Sequence, residues 1–310
     1  MSCSCDYGPI LPPPLEGDGP NVVSFDVAAG ADIDLEAIGK FFQDYGFVVL
    51  RNVAPPEVID QCEQEVFDAA GLTDAQLQAL ETVEWRQVFG SAYNMGKGFV
   101  GSKPATGPGS IAVRQQPGIL AVYAHLFGNS RLYPTTDRFG LMRPTSVHPE
   151  WATETGFVHW DQNPTSEPDF ARIQGVLCLS PHTPTSGGFH CVPGSHLWFK
   201  RYGEAKQCPA GSLIAVDCAC VVENHLFRIP CPRGSLIVWD SRTAHGNWPN
   251  QGTDEWRKVL YMSYFVPDAF EAEMYRKHFN SLLNYNPLSR QVLTEAGKKL
   301  FAQVEYEPQE

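Results

Sequence analysis

Three residues near the middle of this chain have the types that a divalent metal needs. His159 and Asp161 stand two apart in "GFVHWDQNP", with Trp160 between them, and His245 follows well downstream in "TAHGNWPN". On a strand the side-chain period of two puts His159 and Asp161 on one face and Trp160 on the other. On a helix the same spacing would separate the pair by about 200°. Two neutral imidazoles and one carboxylate can fill three adjacent positions of an octahedron and leave three open, the arrangement of non-haem Fe(II) oxygenases. A lone His-x-Asp is more often the outer face of an ordinary strand. Here His245 directly follows the apolar run "GSLIVWDSR", and the intervening chain is long enough to bring it back beside the first motif.

An iron site of this kind takes a bidentate cosubstrate, and a 2-oxo dicarboxylate leaves a distal carboxylate to be held. Arg257 opens the run "RKVLYMSYF" after His245, and the planar guanidinium can give a carboxylate two parallel hydrogen bonds. Arg257, Val259, Tyr261 and Ser263 share one strand face. In "ARIQGVLCLS" the residues Arg172, Gln174, Val176 and Cys178 also share a face, which lines a cavity if it points inward and is a polar edge if it does not. Trp248, just past His245, is the better candidate for a pocket wall; Trp160 and Trp239 read as packing. His148, His182 and His225 lie in polar, loop-like contexts and are expected to be solvated. His196 is expected to stitch its turn, and Asp240 to pair with Arg242 at a strand end.

The elements that must position these groups follow from periodicity. Leu35, Ile38, Phe41 and Phe42 recur at helical spacing, and Gly46 ends that helix. "FVVLRNV" is a short β-rich run. "PPEVIDQCEQEVFDAAG" reads as a second helix opened by its prolines and closed by Gly71. "TDAQLQALETVEW" begins with an N-cap at Thr73 or Asp74, and "GILAVYAHLFG" is a further helix. From about Leu132 short apolar runs alternate with Pro- and Gly-rich turns, the texture of a β-sandwich or barrel. Phe270, Met274, Tyr275, Phe279 and Leu282 lie near one helical stripe, and "PLSRQVLTEAGKKLF" reads as a final helix. We therefore expect an irregular lead-in over residues 1–30 and one domain over 31–310. Its helices fall at about 34–128, its β-core at about 131–267 and its C-terminal helices at about 268–303.

Composition narrows the function classes. The 310 residues are 43% hydrophobic and 19% charged, the profile of a folded chain, and 27 Gly with 25 Pro favour turns and short strands. The net charge of −12, with no stripe of Lys and Arg, excludes the footprint of a nucleic-acid binder and disfavours anionic membranes. No run of about 18 apolar residues is present. The N-terminus lacks a basic region followed by an apolar one, so the expectation is a cytoplasmic protein, monomer or homodimer, with its nine cysteines reduced. "SCSC" and "DCAC" are Cys-x-Cys pairs, read as thiols rather than metal ligands.

Over about Leu35 to Val266 the sequence resembles the phytanoyl-CoA dioxygenase family of Fe(II)/2-oxoglutarate oxygenases. "FFQDYGFVVLRNV" is similar to the family's opening segment and "GFVHWDQNP" to its His-x-Asp strand. "SGGFHCVPGSH" is similar to its Asn-Gly…Pro-Gly-Ser-His turn, and "RGSLIVWDSRTAHGNWPN" to its second-histidine segment. The resemblance implies a mainly β fold with flanking helices around a double-stranded β-helix (jelly-roll) core. It implies Fe(II) on His159, Asp161 and His245, with 2-oxoglutarate and O2 as cosubstrates and Arg257 on the distal carboxylate. Asn247 stands where the family often has Ser or Thr helping to hold 2-oxoglutarate, and Ser186-Gly187-Gly188 replaces the usual Asn-Gly. His190 is the candidate for the keto-acid end. Arg172, Gln174 and Trp248 are the substrate-pocket candidates, and Lys97 or Lys103 would sit on a lid. Related halogenases lack the carboxylate, so Asp161 implies hydroxylation, desaturation or another oxidation of a small molecule with release of succinate and CO2. A protein or peptide hydroxylase with a sensing role and a non-catalytic jelly-roll binding module are the alternatives.

Overall fold

The structure, a computed structural model, describes residues 12–17, 19, 21–70, 93–94, 98–100, 105–146, 148–154, 158–169, 171–216 and 225–304. The helix expected from Thr73, the cysteines of both Cys-x-Cys pairs and the lid lysines Lys97 and Lys103 lie outside the described residues.

Two open β-sheets face one another, as the jelly-roll expectation required. The larger sheet runs β1 (Ser24–Asp26), β2 (Phe47–Arg51), β12 (Leu236–Asp240), β8 (Ile173–Cys178), β14 (Arg257–Tyr261), β6 (Phe139–Met142), β4 (Phe99–Val100) and β3 (Tyr93–Asn94). β15 (Tyr264–Phe265) adds to it by pairing with β8 and with β5 (Tyr133–Pro134). The smaller sheet runs β10 (Ile214–Ala215), β7 (His159–Trp160), β13 (His245–Asn250), β9 (Ser186–Cys191) and β11 (Phe227–Arg228), all antiparallel. β1 lies inside the lead-in expected to be irregular, and with β2, β3 and β4 it brings four strands into the larger sheet from ahead of residue 131.

The β-rich run after the first helix, β2, is buried from Phe47 to Leu50 because β1 and β12 flank it and helices cover its outer face. α1 (Leu35–Tyr45) is capped by Asp34, whose side chain accepts from Ala37 N, and ends at Gly46 with φ 76°. A Cβ at Gly46 would strike Thr243 Oγ1 and His196 Nδ1, so this left-handed turn also needs glycine for space. α2 (Pro56–Ala70) lies against the outer face of the larger sheet, where Glu63 pairs with Lys258 of β14. α3 (Pro108–Arg114), α4 (Pro117–Phe127) and α5 (Phe199–Lys206) follow in chain order. α6 (Ala269–Tyr285) opens on a capping box between Asp268 and Glu271. Its expected apolar stripe holds only in part: Phe279 is buried, whereas Phe270 and Met274 are exposed.

The tail expected as one helix is two, α7 (Pro287–Gln291) and α8 (Glu295–Leu300). The break has a physical cause. Thr294 caps α8 by accepting from Gly297 N, and Gln115 Oε1 accepts from both the backbone N–H and the hydroxyl of Thr294. Those bonds draw the chain out of helical geometry.

Candidate metal centre and cavity

β7 and β13 are paired with His159 directly opposite His245, so both imidazoles project from the same face of the smaller sheet. Their ring centroids are 4.8 Å apart. The strand expected through Asp161 ends one residue earlier, at Trp160. Asn163 closes the turn by accepting from Thr165 N, and its amide donates to Pro209 O. This bend, rather than strand alternation alone, swings Asp161 in between the histidines. Asp161 Oδ1 is 3.4 Å from His159 Nε2, and Oδ2 is 3.6 Å from His245 Nε2. One ligand atom from each of the three lies within 4.8 Å of the others.

The surroundings prepare these atoms for a cation. His245 Nδ1 is 2.9 Å from Thr243 O. A carbonyl only accepts, so Nδ1 carries the proton and Nε2 keeps its lone pair toward Asp161. Gln174 Nε2 donates to Asp161 Oδ2 at 2.7 Å. Burial raises the Asp161 carboxyl, but hydrogen bonds from His159 and His245 and the positive charge of His245 when these rings are protonated, together with the Gln174 bond, outweigh it and hold the carboxyl well below the usual carboxylate range. A bound cation takes the place of those imidazole protons. The side chain of His245 is 7% exposed and that of Asp161 is 41% exposed, and all three residues line the cavity. Two neutral imidazole nitrogens and an ionised carboxylate fit Fe(II).

A cavity of about 430 Å³ begins at this centre and runs between the sheets. The larger sheet contributes Gln174, Trp239 and Tyr261; the smaller contributes Phe189, His245 and Asn247, with Phe99 and Leu213 completing the apolar wall. Trp239 stands opposite Gln174 in the β12–β8 register, which turns both inward. Its ring lies 5.2 Å from that of His245 and 4.7 Å from that of Phe189. Arg138, exposed and paired with Asp137, lies at the rim, its guanidinium 5.5 Å from the Phe99 ring centroid.

Arg257 sits at the far end behind Asn247 and Tyr261, fully buried. Its Nη2 donates to Asn247 Oδ1 at 3.1 Å and its Nε to His182 Nε2 at 3.4 Å. Asn247 Nδ2 donates to Tyr261 Oη at 3.1 Å. No carboxylate pairs with Arg257 among the described residues. A buried guanidinium without a counter-ion is costly, and an anion entering the cavity would relieve it. Gly187, at φ 82°, packs here: a Cβ would come 2.6 Å from Met142 Sδ and 3.3 Å from Arg257 Cδ, which accounts for glycine in the Ser-Gly-Gly turn.

Several expectations are corrected. His190 does not reach the cavity. It stands opposite Gly246, one register step from the His245 and Asn247 positions, so it projects from the outer face of the smaller sheet. Trp248 shares that outer face, its ring 5.7 Å from His190, with Arg228 5.2 Å above it. Trp239 therefore forms the pocket wall in place of Trp248. Arg172 is exposed ahead of β8 and absent from the cavity lining. Gln174 does line it, but its amide also holds a candidate ligand. His182 is buried rather than solvated, and Asp240 is buried even though it pairs with Arg242 at 2.6 Å. His196 stitches its turn as expected, with Nε2 2.9 Å from Gln43 O. Trp160 packs away from the centre against Trp198, Phe199 and Tyr202, and its Nε1 donates to Arg242 O.

The model of the phytanoyl-CoA dioxygenase family (PhyH) matches residues 42–259, well over half of the chain. A Dictyostelium discoideum protein assigned provisionally as a phytanoyl-CoA dioxygenase is 25% identical over 281 residues, covering 78% of this chain and 79% of that protein. Among solved structures, the epimerase SnoN in complex with Fe3+, alpha-ketoglutarate and nogalamycin RO is 18% identical with a TM-score of 0.52, covering 74% of this chain and 83% of that one. Apo EctD from S. alaskensis is 14% identical with a TM-score of 0.51, covering 79% and 82%. These structural likenesses establish the shared fold, and the family match extends to the sequence: this chain belongs to the phytanoyl-CoA dioxygenase family.

Proposed function

We propose that this family member is an Fe(II)- and 2-oxoglutarate-dependent dioxygenase that oxidises a C–H bond of a small molecule, with release of succinate and CO2. Fe(II) and 2-oxoglutarate are the family's cofactors, and His159, Asp161 and His245 would hold the metal. The observation that carries this reading is the placement of those three side chains at a cavity whose Asn247 and Tyr261 wall is backed by the buried Arg257, which pairs with no carboxylate among the described residues. Iron, once bound, supplies O2 activation.

The chain's own residues do the rest. Asp161 stays ionised and lowers the charge of the centre without filling it. Thr243 and Gln174 orient His245 and Asp161. Arg257, through Asn247 and Tyr261, offers positive charge and hydrogen-bond donors to the distal carboxylate of 2-oxoglutarate. Trp239, Phe189 and Phe99 exclude water from the reacting end. The Arg138–Asp137 pair at the rim presents both charges to a polar substituent of the substrate. A cavity of this volume suits a drug-sized ligand, which supports a small molecule over a protein or peptide substrate. The intact donor set supports turnover over a non-catalytic binding module.

The test is anaerobic addition of Fe(II) and 2-oxoglutarate, read as the weak visible charge-transfer band of the chelate, then O2 with candidate substrates and quantification of succinate. The band should form in the wild type and vanish in His159→Ala. A wild type that behaves like His159→Ala refutes the reading.

A further inference from the structure

A second group of potential ligands lies directly behind Arg257, and the iron reading does not use it. Cys178 ends β8, His182 follows in the turn, and Cys231 pairs with His182 in an isolated antiparallel bridge. Cys178 Sγ is 3.3 Å from Cys231 Sγ and 3.6 Å from His182 Nδ1. All three residues are buried, and their ligand atoms lie within 4.8 Å of one another. Two states suit such a group: a soft metal on two thiolates and an imidazole, or a pair of sulfurs that join.

The hydrogen bonding discriminates between them. Arg257 Nε donates to His182 Nε2. A guanidinium remains protonated and has no acceptor, so Nε2 is the acceptor and the proton of the neutral ring resides on Nδ1. Burial, reinforced by the charges of Arg257 and Arg228, keeps this ring neutral. Its Nδ1–H is therefore directed at Cys178 Sγ, and no lone pair on that nitrogen is free for a metal. The sulfurs, in contrast, are already at van der Waals contact.

We propose that Cys178 and Cys231 are a redox-active dithiol, closed to a disulfide by a hydroperoxide-class oxidant, and that His182 relays this change to Arg257. Cys231 is 5% exposed and Cys178 0%, so the oxidant meets Cys231 first. Its sulfur attacks hydrogen peroxide, the O–O bond breaks, and a sulfenic acid and one water form. Cys178 sulfur then attacks the sulfenic sulfur; the S–O bond breaks, the hydroxide leaves with the Cys178 thiol proton as a second water, and the S–S bond forms. Two thiols and one peroxide give one disulfide and two waters. Closing the pair to about 2.05 Å shifts the sulfurs by about 1 Å in total. That movement draws Cys178 from His182 Nδ1, and the ring that supports Arg257 loses its second anchor.

The link to Arg257 rests on the cosubstrate role proposed above; the disulfide does not. The full chain, first reduced, is exposed to hydrogen peroxide, denatured, alkylated and mapped by mass spectrometry. A linked Cys178–Cys231 peptide should appear, dithiothreitol should reverse it, and Cys231→Ala should leave Cys178 alkylated. If both thiols alkylate fully under conditions that oxidise the more exposed Cys208, the dithiol is refuted. Bound zinc that survives His159→Ala and is lost in Cys178→Ala would also overturn it in favour of a metal. Calorimetry of 2-oxoglutarate with the Co(II)-loaded chain tests the relay. Oxidation should weaken binding about three- to tenfold, reversibly in the wild type and not in Cys231→Ala. A reduced chain that does not bind 2-oxoglutarate defeats the functional reading alone, since the peptide map still decides the dithiol. Equal binding by reduced and oxidised chains refutes the relay.

Discussion

Replacing Gln174 by Met removes one hydrogen bond to Asp161 and little else. The two side chains have similar length, and Gln174 Nε2 sits 2.7 Å from Asp161 Oδ2. A hydrogen bond to a charged group contributes about 1.5–3 kcal/mol. The Asp161 side chain is 41% exposed, so solvent screening reduces that to about 1–2 kcal/mol. The freed carboxylate can rotate away from the two histidines, so the loss falls on metal affinity. It corresponds to a dissociation constant for Fe(II) or Co(II) raised about five- to thirtyfold, in the range expected when a residue supporting a metal ligand is removed. Anaerobic competition against a chromophoric chelator measures it, with His245→Ala as the variant that loses the site. Unfolding by denaturant should be nearly unchanged. If Gln174→Met holds Co(II) within about twofold of the wild type, Gln174 does not orient Asp161 and the carboxylate is positioned by the bend alone.

Other perturbations separate the remaining roles. Arg257→Gln keeps a hydrogen-bonding group but removes the charge; 2-oxoglutarate affinity by calorimetry should fall at least about tenfold while Co(II) affinity holds, and unchanged cosubstrate binding would exclude Arg257 as the anchor. Trp160→Ala empties a fully buried site and should destabilise the fold by about 3–5 kcal/mol in urea unfolding, with Trp160→Phe retaining most of that stability; a mild alanine variant would mean the small cluster does not support β7. Burial pushes His190 down from 6.5 to about 3, with the charges of His245 and Arg228 adding to it. Between those pH values the unfolded chain takes up a proton that the native chain refuses, so stability is present above pH 6.5 and falls as the pH drops, by about 2 kcal/mol at pH 5. His190→Phe should flatten that part of the acid slope between pH 7 and pH 5; an unaltered slope would assign it elsewhere.

Much of the site was legible because the chemistry is written in residue types at strand spacing. His159, Asp161, His245 and Arg257 were identifiable from the needs of a cation and of a dicarboxylate, and motif order pointed to the family. The helices opened by Pro55–Pro56 and ended by Gly46 were readable from local capping, which depends on neighbours in the chain. The helix break at Thr294 was not readable, since Gln115, which holds it, is distant in sequence.

Sequence alone therefore determined the fold class and singled out the candidate donor set and the candidate anion anchor, all of which rest on residue chemistry and short-range periodicity. Tertiary structure decided which member of each alternating pair faces inward. Trp239 enters the cavity and Trp248 does not; Asn247 enters and His190 does not. The reason is register: a period of two says that neighbours point oppositely, but only pairing with β8 and β9 says which of them meets the opposing sheet. The same holds for His182, which looks like a loop histidine in the chain. It becomes the partner of Arg257 only because the bridge to Cys231 folds its turn back behind β14.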